Sequence, residues 1–252
     1  MPFEPQNELE SALVRATTDA AERPRFLREF LDAQIFLIRE GEGPPVEREG
    51  MLQAGEKLAL ASWTIEGLDW LPVFSSLPRL EAALREPRAY LRMATRDFLD
   101  ITRGANVVLN PNADYGKFFP AHEVSALLAG NLGMGEVRVA QQETKVLLGS
   151  PANMPQSLLD ALTRLFQQRR DVKRAWVAHY HESGSDIPPH TLIGLEIDGD
   201  ERAIVADAGV VAHSVTVPEP PVDIYVLQGT TGLADYFLGA KPFYRRKWLG
   251  IF

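Results

Sequence analysis

Three of the chain's histidines, His179, His181 and His190, stand close enough in sequence to do chemistry together. His179 and His181 are two residues apart, so on an extended strand they share a face. If Val172–His181 and Thr191–Ile197 are strands joined through the turn-rich Glu182–Pro189, His181 faces His190 and three imidazoles gather on one surface. That is a zinc-like ligand set. The same register sets Ile193 by Ala178 and Leu195 by Trp176 on the opposite, apolar face. The histidines then take the polar face of a half-covered sheet, where solvated or interface side chains are the rule. The expectation is no metal ion, with His179, His181 and His190 as the weak candidates for one.

A second group of oxygen-bearing residues lies in Asn110–Gly116, which carries Asn110, Asn112 and Asp114. Alternating oxygen ligands suit calcium, but the twelve-residue pattern closing on Glu is missing and Pro111 intrudes. A plain turn is expected. Ser75-Ser76 offers a nucleophile, though Ser76 reads better as a helix cap. Gly130–Gly135 has three glycines in six residues but no good helix start after it, so it is no phosphate cradle. GxSxG, P-loop and GxGxxG patterns are absent. No catalytic residue and no cofactor are expected.

Composition narrows the classes further. The chain has 252 residues, 45% of them apolar and 24% charged, the balance of a soluble globular protein with material for a full core. Cysteine is absent, which removes disulfides, thiolate metal sites and thiol catalysis. Net charge is −8, most of it in the first 133 residues, which argues against a nucleic-acid partner. The opening MPFEPQNELE lacks the basic and apolar regions of a signal peptide, and no run reaches the ~18 apolar residues that span a bilayer. A cytoplasmic location without membrane attachment is expected.

The elements that must position these residues follow from periodicity. Asn7 and Glu10 form a capping box for a helix bearing Leu9, Ala12, Leu13 and Ala16. Pro24 opens a second helix, with Phe26, Leu27, Phe30 and Leu31 as its stripe. Ile35–Ile38 is apolar throughout, a strand covered on both faces. Arg39–Gly55, rich in Gly, Pro and Glu, reads as a loop. Leu58–Thr64, Trp70–Phe74 and Val107–Leu109 read as further strands, with a helix from Pro78, one capped by Thr95 and one from Pro120. Gly130–Gly135 is the domain boundary, giving ranges 1–133 and 136–252. In the second half, Leu158, Leu159, Leu162, Leu165 and Phe166 make a regular helical stripe, with Asp160 and Arg164 paired four residues apart on its outer side. Strands at Val146–Leu148, Val172–His181, Thr191–Ile197 and Val222–Leu227 enclose this helix and another over Ile204–Val215, which Gly209 weakens. A last helix is expected around Leu233, Tyr236 and Phe237. The class is α+β: two mixed α/β-sandwich-like domains, the second ordered β-α-β-β-α-β like the ferredoxin-like split motif.

Fragments along both halves carry a resemblance. They are Asn7-Glu8-Leu9-Glu10, the block from Pro24 to Ile38, Leu71-Pro72-Val73-Phe74-Ser75 and Val108-Leu109-Asn110-Pro111. Ile193-Gly194, Pro221-Val222-Asp223 and Pro242-Phe243-Tyr244 follow in the second half. In this order the chain resembles the enhanced serine sensitivity (SseB) family, across its N-terminal and C-terminal domains. The resemblance implies a two-domain bacterial cytosolic protein linked to serine tolerance, with no catalytic residues to carry over. The sequence departs from the family pattern past Tyr244, where RRKWLGIF extends it.

That tail interleaves cations with Phe243, Tyr244, Trp248, Leu249, Ile251 and Phe252. Twelve residues and four charges are little to hold an acidic protein on anionic lipid. So many large apolar groups are costly to leave in water. The tail is therefore expected to fold back on its own chain or on a second copy. The Arg245-Arg246-Lys247 run would then lie against the acidic N-terminal half, and Phe243, Tyr244, Arg245, Arg246, Trp248 and Phe252 are the expected interaction residues. The functional expectation is a non-enzymatic interaction or regulatory protein, docking on a protein partner or on itself. An amino-acid sensor is the alternative, and a metal hydrolase built on the histidines is the remotest.

Overall fold

A computed structural model describes residues 3–40, 59–131, 133, 146–230 and 232–247. Most of the expected loop Arg39–Gly55, part of the glycine-rich boundary, and Trp248 and Phe252 of the tail lie outside the described residues. The chain divides into two compact units: Met1–Thr18 with Arg25–Gly130, and Asp19–Pro24 with Asn131–Phe252. The first unit therefore differs from the continuous range 1–133, because Asp19–Pro24 packs as part of the second.

In the first unit Asn7 begins α1 (Glu8–Thr18), its Oδ1 accepting the Glu10 N–H at 2.9 Å. After a 3-10 turn (Ala20–Glu22) come α2 (Arg23–Asp32), β1 (Gln34–Ile38), β2 (Trp63–Ile65), β3 (Leu68–Phe74) and α3 (Leu77–Ala83). Then follow β4 (Tyr90–Ala94), α4 (Thr95–Ile101), β5 (Asn106–Leu109), β6 (Lys117–Phe119) and α5 (Ala121–Leu128). The sheet runs β4-β1-β3-β5-β6, with β2 also on β3. β3 and β5 are parallel, Val73 opposite Leu109, and the other pairs are antiparallel. Phe26 and Phe30 of α2 stack against Phe119 on one face, and Leu80 of α3 packs with Ile38 and Phe74 on the other. Thr95 does not cap α4. Its hydroxyl donates to the Ala33 carbonyl at 3.0 Å and ties the helix start back to the end of α2.

The second unit holds β7 (Val146–Gly149), α6 (Gln156–Gln168), β8 (Val172–Glu182), β9 (His190–Ile197), α7 (Glu201–His213), β10 (Val222–Val226), α8 (Leu233–Gly239) and β11 (Tyr244–Arg245). The element order matches the sequence reading, but the pairing does not match the ferredoxin-like arrangement. The sheet runs β10-β9-β8-β11, with β7 on the same edge of β8 as β11, and only β9–β10 is parallel. A split motif needs its first and third strands adjacent, whereas here sequence neighbours pair in turn. The fold is α+β with two mixed sheets. The stripes of α6 and α7 meet Ala175, Ile193 and Leu195 in one core, which Ala21 joins, and Trp176, Ala178, Leu192 and Phe237 form a second core on the opposite face. Gly209 sits inside α7 for a packing reason: a Cβ there would stand 1.6 Å from the Gly133 carbonyl oxygen. Among the described residues no helix is long and apolar enough to cross a membrane.

Candidate functional site

The carboxyl ends of the parallel neighbours β3 and β5 deliver Ser75 and Asn110 to one place. Such ends are where open α/β sheets gather functional groups. Asn110 holds a left-handed backbone, φ 49°, and its side chain makes that conformation useful. Its Oδ1 accepts the Ser75 N–H at 2.9 Å and its Nδ2 donates to Ser75 Oγ at 2.8 Å. The Ser75 hydroxyl donates to Glu10 Oε1 at 2.7 Å, and the Ser76 hydroxyl donates to the same oxygen at 2.9 Å. Ser76 thus occupies the cap position of α3, but its hydroxyl turns to Glu10 and makes no cap bond.

Glu10 is the centre of the cluster and is fully buried. Its Oε2 accepts the Gln6 N–H at 3.0 Å and the Arg79 guanidinium at 3.0 and 3.3 Å. The expected capping box is therefore displaced: Glu10 reaches back to Gln6, not Asn7, and spends its other oxygen on α3. Burial alone would raise this carboxyl. The hydrogen bonds from Arg79, Ser75, the Gln6 N–H and Ser76 outweigh burial and hold it below the ordinary carboxylate range. Arg79 is seated in turn by the Glu4 carbonyl, at 2.6 Å, and by the Phe3 ring, 3.7 Å from its guanidinium carbon.

A serine oxygen between a carboxylate and an amide has the makings of an activated nucleophile. Ser75 is 3% exposed, and Ser75, Ser76 and Glu10 do not line the two concavities beside the turn that follows Asn110. What the cluster does is fix the turn that follows Asn110. The Ala113 N–H closes this turn on the Asn110 carbonyl at 3.2 Å, and Asn112 is also left-handed at φ 65°. Gly116 is required, since a Cβ would meet the Leu109 and Asn110 carbonyl oxygens at 2.7 and 2.9 Å. Concavities of about 700 and 460 Å³ flank the turn. The larger is walled by Trp63, Ile65, Val108 and Phe118, with Lys117 as its charged residue. Lys117 is already held by Glu123 at 2.8 Å. Phe118 stands 46% exposed at the sheet edge.

The histidines do not gather. Tyr180, not His181, lies opposite His190, and Thr191 lies opposite His179. Directly opposed residues share a face, so His190 is on one side of the sheet and His179 and His181 on the other. The offset of one residue also moves Ile193 to Val177 and Leu195 to Ala175. His190 is buried against Tyr180, its ring nitrogens 3.0 Å from the Pro188 carbonyl and 2.9 Å from Asp223 Oδ2. The hydrolase arrangement, which needs all three imidazoles together, has no geometric basis. Among the described residues no three His, Cys, Asp or Glu side chains are placed to hold an ion.

The described part of the tail, up to Lys247, folds onto its own unit. Tyr244 and Arg245 pair with Ala175 and Arg174, the Phe243 N–H donates to the Ala175 carbonyl at 2.9 Å, and the Tyr244 hydroxyl donates to the Phe166 carbonyl at 2.9 Å. Burial pushes the Tyr244 phenol up. The Arg246 guanidinium donates to the Arg170 carbonyl. The Arg246 N–H donates to the Lys173 carbonyl at 2.8 Å, so the backbone of β8 and of the residues just before it seats this arginine.

The sequence reading missed Glu10, Arg79 and Asn110 as one cluster. The available signal was a Glu, a Ser-Ser pair and an Asn-Pro, each beginning or ending an element with apolar flanks.

The SseB protein N-terminal domain family matches residues 9–126, and the SseB protein C-terminal domain family matches residues 140–246. Protein SseB of Escherichia coli strain K12 is 32% identical over 98% of this chain and 95% of its own length, and Protein SseB of Shigella flexneri matches to the same extent. No solved structure matches. Matched in both domains and along nearly its whole length, the chain belongs to the SseB family.

Proposed function

We propose that this chain is a non-enzymatic interaction or regulatory protein of the bacterial cytosol, and that its N-terminal unit docks a protein partner on the trough beside the Asn110–Gly116 turn. The observation behind this reading is the trough itself: open, walled by Trp63, Ile65, Val108 and Phe118, and ending on a turn that a buried hydrogen-bond cluster holds rigid. Exposed aromatic area on a fixed frame loses little conformational freedom on binding, which favours protein contacts. The nearby Leu68, 58% exposed on β3, extends the apolar surface.

The amino-acid sensor remains as the second reading because about 700 Å³ is within the range of small-molecule sites. Against it, a zwitterion needs a free cation and a free carboxylate, and the trough's Lys117 is engaged by Glu123. Affinity capture from a host bacterium, with the chain and its Phe118→Ala variant side by side, separates the two readings. A captured protein lost on Phe118→Ala supports docking. If sedimentation of the purified chain shows a dimer lost in the same variant, the partner is a second copy. A free amino acid that raises the melting temperature, with no protein captured, overturns docking in favour of the sensor. At 100-fold its dissociation constant such a ligand stabilises by about 2.7 kcal/mol, well within detection.

A further inference from the structure

The aromatic residues of the trough beside the Asn110–Gly116 turn belong to one face of the first unit's sheet. Trp63 on β2 lies directly opposite Trp70 on β3, and Val108 on β5 lies directly opposite Phe118 on β6. Residues opposed in this way share a face. The Trp70 and Phe118 rings meet edge to face with centroids 4.9 Å apart, which joins the two pairs into one row across the strands. Trp70 and Val108 are buried and form the bed of the row. Trp63 is half-buried and Phe118 exposed, so theirs are the rings that an incoming chain meets.

A protein partner can enter such a trough as a strand, a helix or a polyproline II segment, and the lining discriminates between them. An added strand needs unpaired backbone groups. The floor strand β5 has none to share along this stretch, because β3 pairs with it on one side and β6 on the other. A helix uses its own carbonyls internally. A polyproline II segment leaves its carbonyls free, and proline has no N–H to offer. It therefore needs side-chain donors, and the lining supplies the indole N–H of Trp63 and the amide of Asn112. Charge points the same way. Lys117 is the trough's one ionisable lining residue, and Glu123 holds it at 2.8 Å. An uncharged ligand leaves that pair intact and loses no ionic hydration of its own.

We infer that the trough binds an uncharged, proline-rich segment of its partner in the polyproline II conformation, an inference that rests on the docking role proposed above. Proline rings pack on Trp63 and Phe118, and carbonyl oxygens of the segment accept from Trp63 and Asn112. Such a segment is already extended before it binds, so little conformational freedom is lost on docking. The trough is fixed on its side too, since Trp70 braces Phe118 from below and the Glu10 cluster holds the turn.

The test uses the full chain labelled with nitrogen-15 at its four tryptophans and titrated with synthetic decaproline to millimolar concentration. The indole N–H signal of Trp63 is identified by its loss in Trp63→Phe, a substitution that keeps an aromatic ring in place. That signal should shift saturably, and Phe118→Ala should weaken the binding at least fivefold. Phe118 is exposed, and the unchanged signals of the other tryptophans would show that the variant still folds. An uncharged alanine–glutamine helical peptide should leave the Trp63 signal where it is. A Trp63 signal unmoved by decaproline, or moved equally in Phe118→Ala, would overturn the inference, and so would tighter binding of the helical peptide. Affinity capture tells this failure from that of the docking role. A Phe118-dependent captured protein alongside silent decaproline would overturn the ligand class alone, whereas silence in both would overturn docking with it.

Discussion

Two buried polar clusters, one in each unit, meet opposite fates. Around Glu10 both carboxylate oxygens are occupied, by Ser75 and Ser76 on one and by Gln6 and Arg79 on the other. Around His179 and Glu219 the facing atoms are buried, 3.3 Å apart and unbonded. Both clusters join a strand to a distant loop or helix, so position in the fold does not separate them. Completeness does. A satisfied network holds one conformation because every alternative leaves a group unpaired. An ion pair without an aligned hydrogen bond is not held to one geometry in that way.

The strongest way to break this contrast is to remove Glu10. Glu10→Ala should cost about 3–5 kcal/mol, because Arg79 keeps its charge while losing its carboxylate and two serine hydroxyls lose their acceptor. Glu10→Gln is the sharper probe. Its amide would present N–H groups to the Arg79 and Gln6 donors, so the side chain fits in size and fails in polarity. The pH dependence has a definite sign. The folded carboxyl lies below its ordinary value of 4.5, so its stabilisation is complete above that value and is lost as pH falls through the lower folded one. Denaturant melts should show the gap between the chain and Glu10→Gln closing on acidification below about pH 4.5. A gap constant from pH 7 to pH 3 would mean that folding leaves the Glu10 carboxyl's proton affinity unchanged.

Next in size is a purely apolar change in the second unit. Leu162, 1% exposed at the centre of the α6 stripe, should cost about 2–5 kcal/mol as Leu162→Ala. If it costs much more than Glu10→Ala, packing outweighs the polar cluster as a source of stability, and the brace is secondary.

Those two sites also show what could be read without coordinates. The α6 stripe is legible because helical burial repeats every three to four residues, a pattern confined to one element. β4 was not, since Tyr90–Ala94 is a half-buried edge strand with an arginine at its centre and no clean alternation. The Glu10 cluster was visible only in pieces. Asn7, Glu10 and Ser76 were read as local caps, and for Asn7 that is right. The tertiary partners that redirect Glu10 and Ser76 lie about 65 residues from α1, and local preference carries no information at that range. The histidine register failed by a single residue, which in a strand is enough to change faces. Of the tail, the seat of Tyr244 and Arg245 on β8 depends on which sheet edge is open, which aromatic content does not show.

That seat supplies a smaller test. Tyr244→Phe keeps the ring against Phe166 and removes only the hydroxyl that donates to the Phe166 carbonyl. The loss should be about 1–2 kcal/mol, the usual consequence of leaving one buried acceptor unmatched. A thermal melt unchanged by the substitution would mean that water replaces the phenol and that β11 is only loosely attached.

The smallest expected effect concerns the outer side of α6, where spacing alone pairs Asp160 with Arg164. The guanidinium goes elsewhere: Arg164 Nε lies 3.1 Å from both carboxylate oxygens of Asp19, while Asp160 accepts from Gln156 Nε2 at 2.7 Å. Asp19 is the better partner because its carboxylate is already fixed, accepting the Ala21 N–H at 3.0 Å to cap the 3-10 turn. A pre-positioned acceptor spares the side-chain entropy that an exposed helical pair must lose. Asp160→Ala should therefore cost under about 0.5 kcal/mol, as exposed substitutions usually do. Asp19→Ala should cost about 1 kcal/mol or somewhat more, because it removes a cap and an ion pair together. Melts of the two variants under one set of conditions decide the matter. Equal costs, or a larger one for Asp160→Ala, would return Arg164 to its helical neighbour and detach the Asp19–Pro24 segment from the polar side of α6.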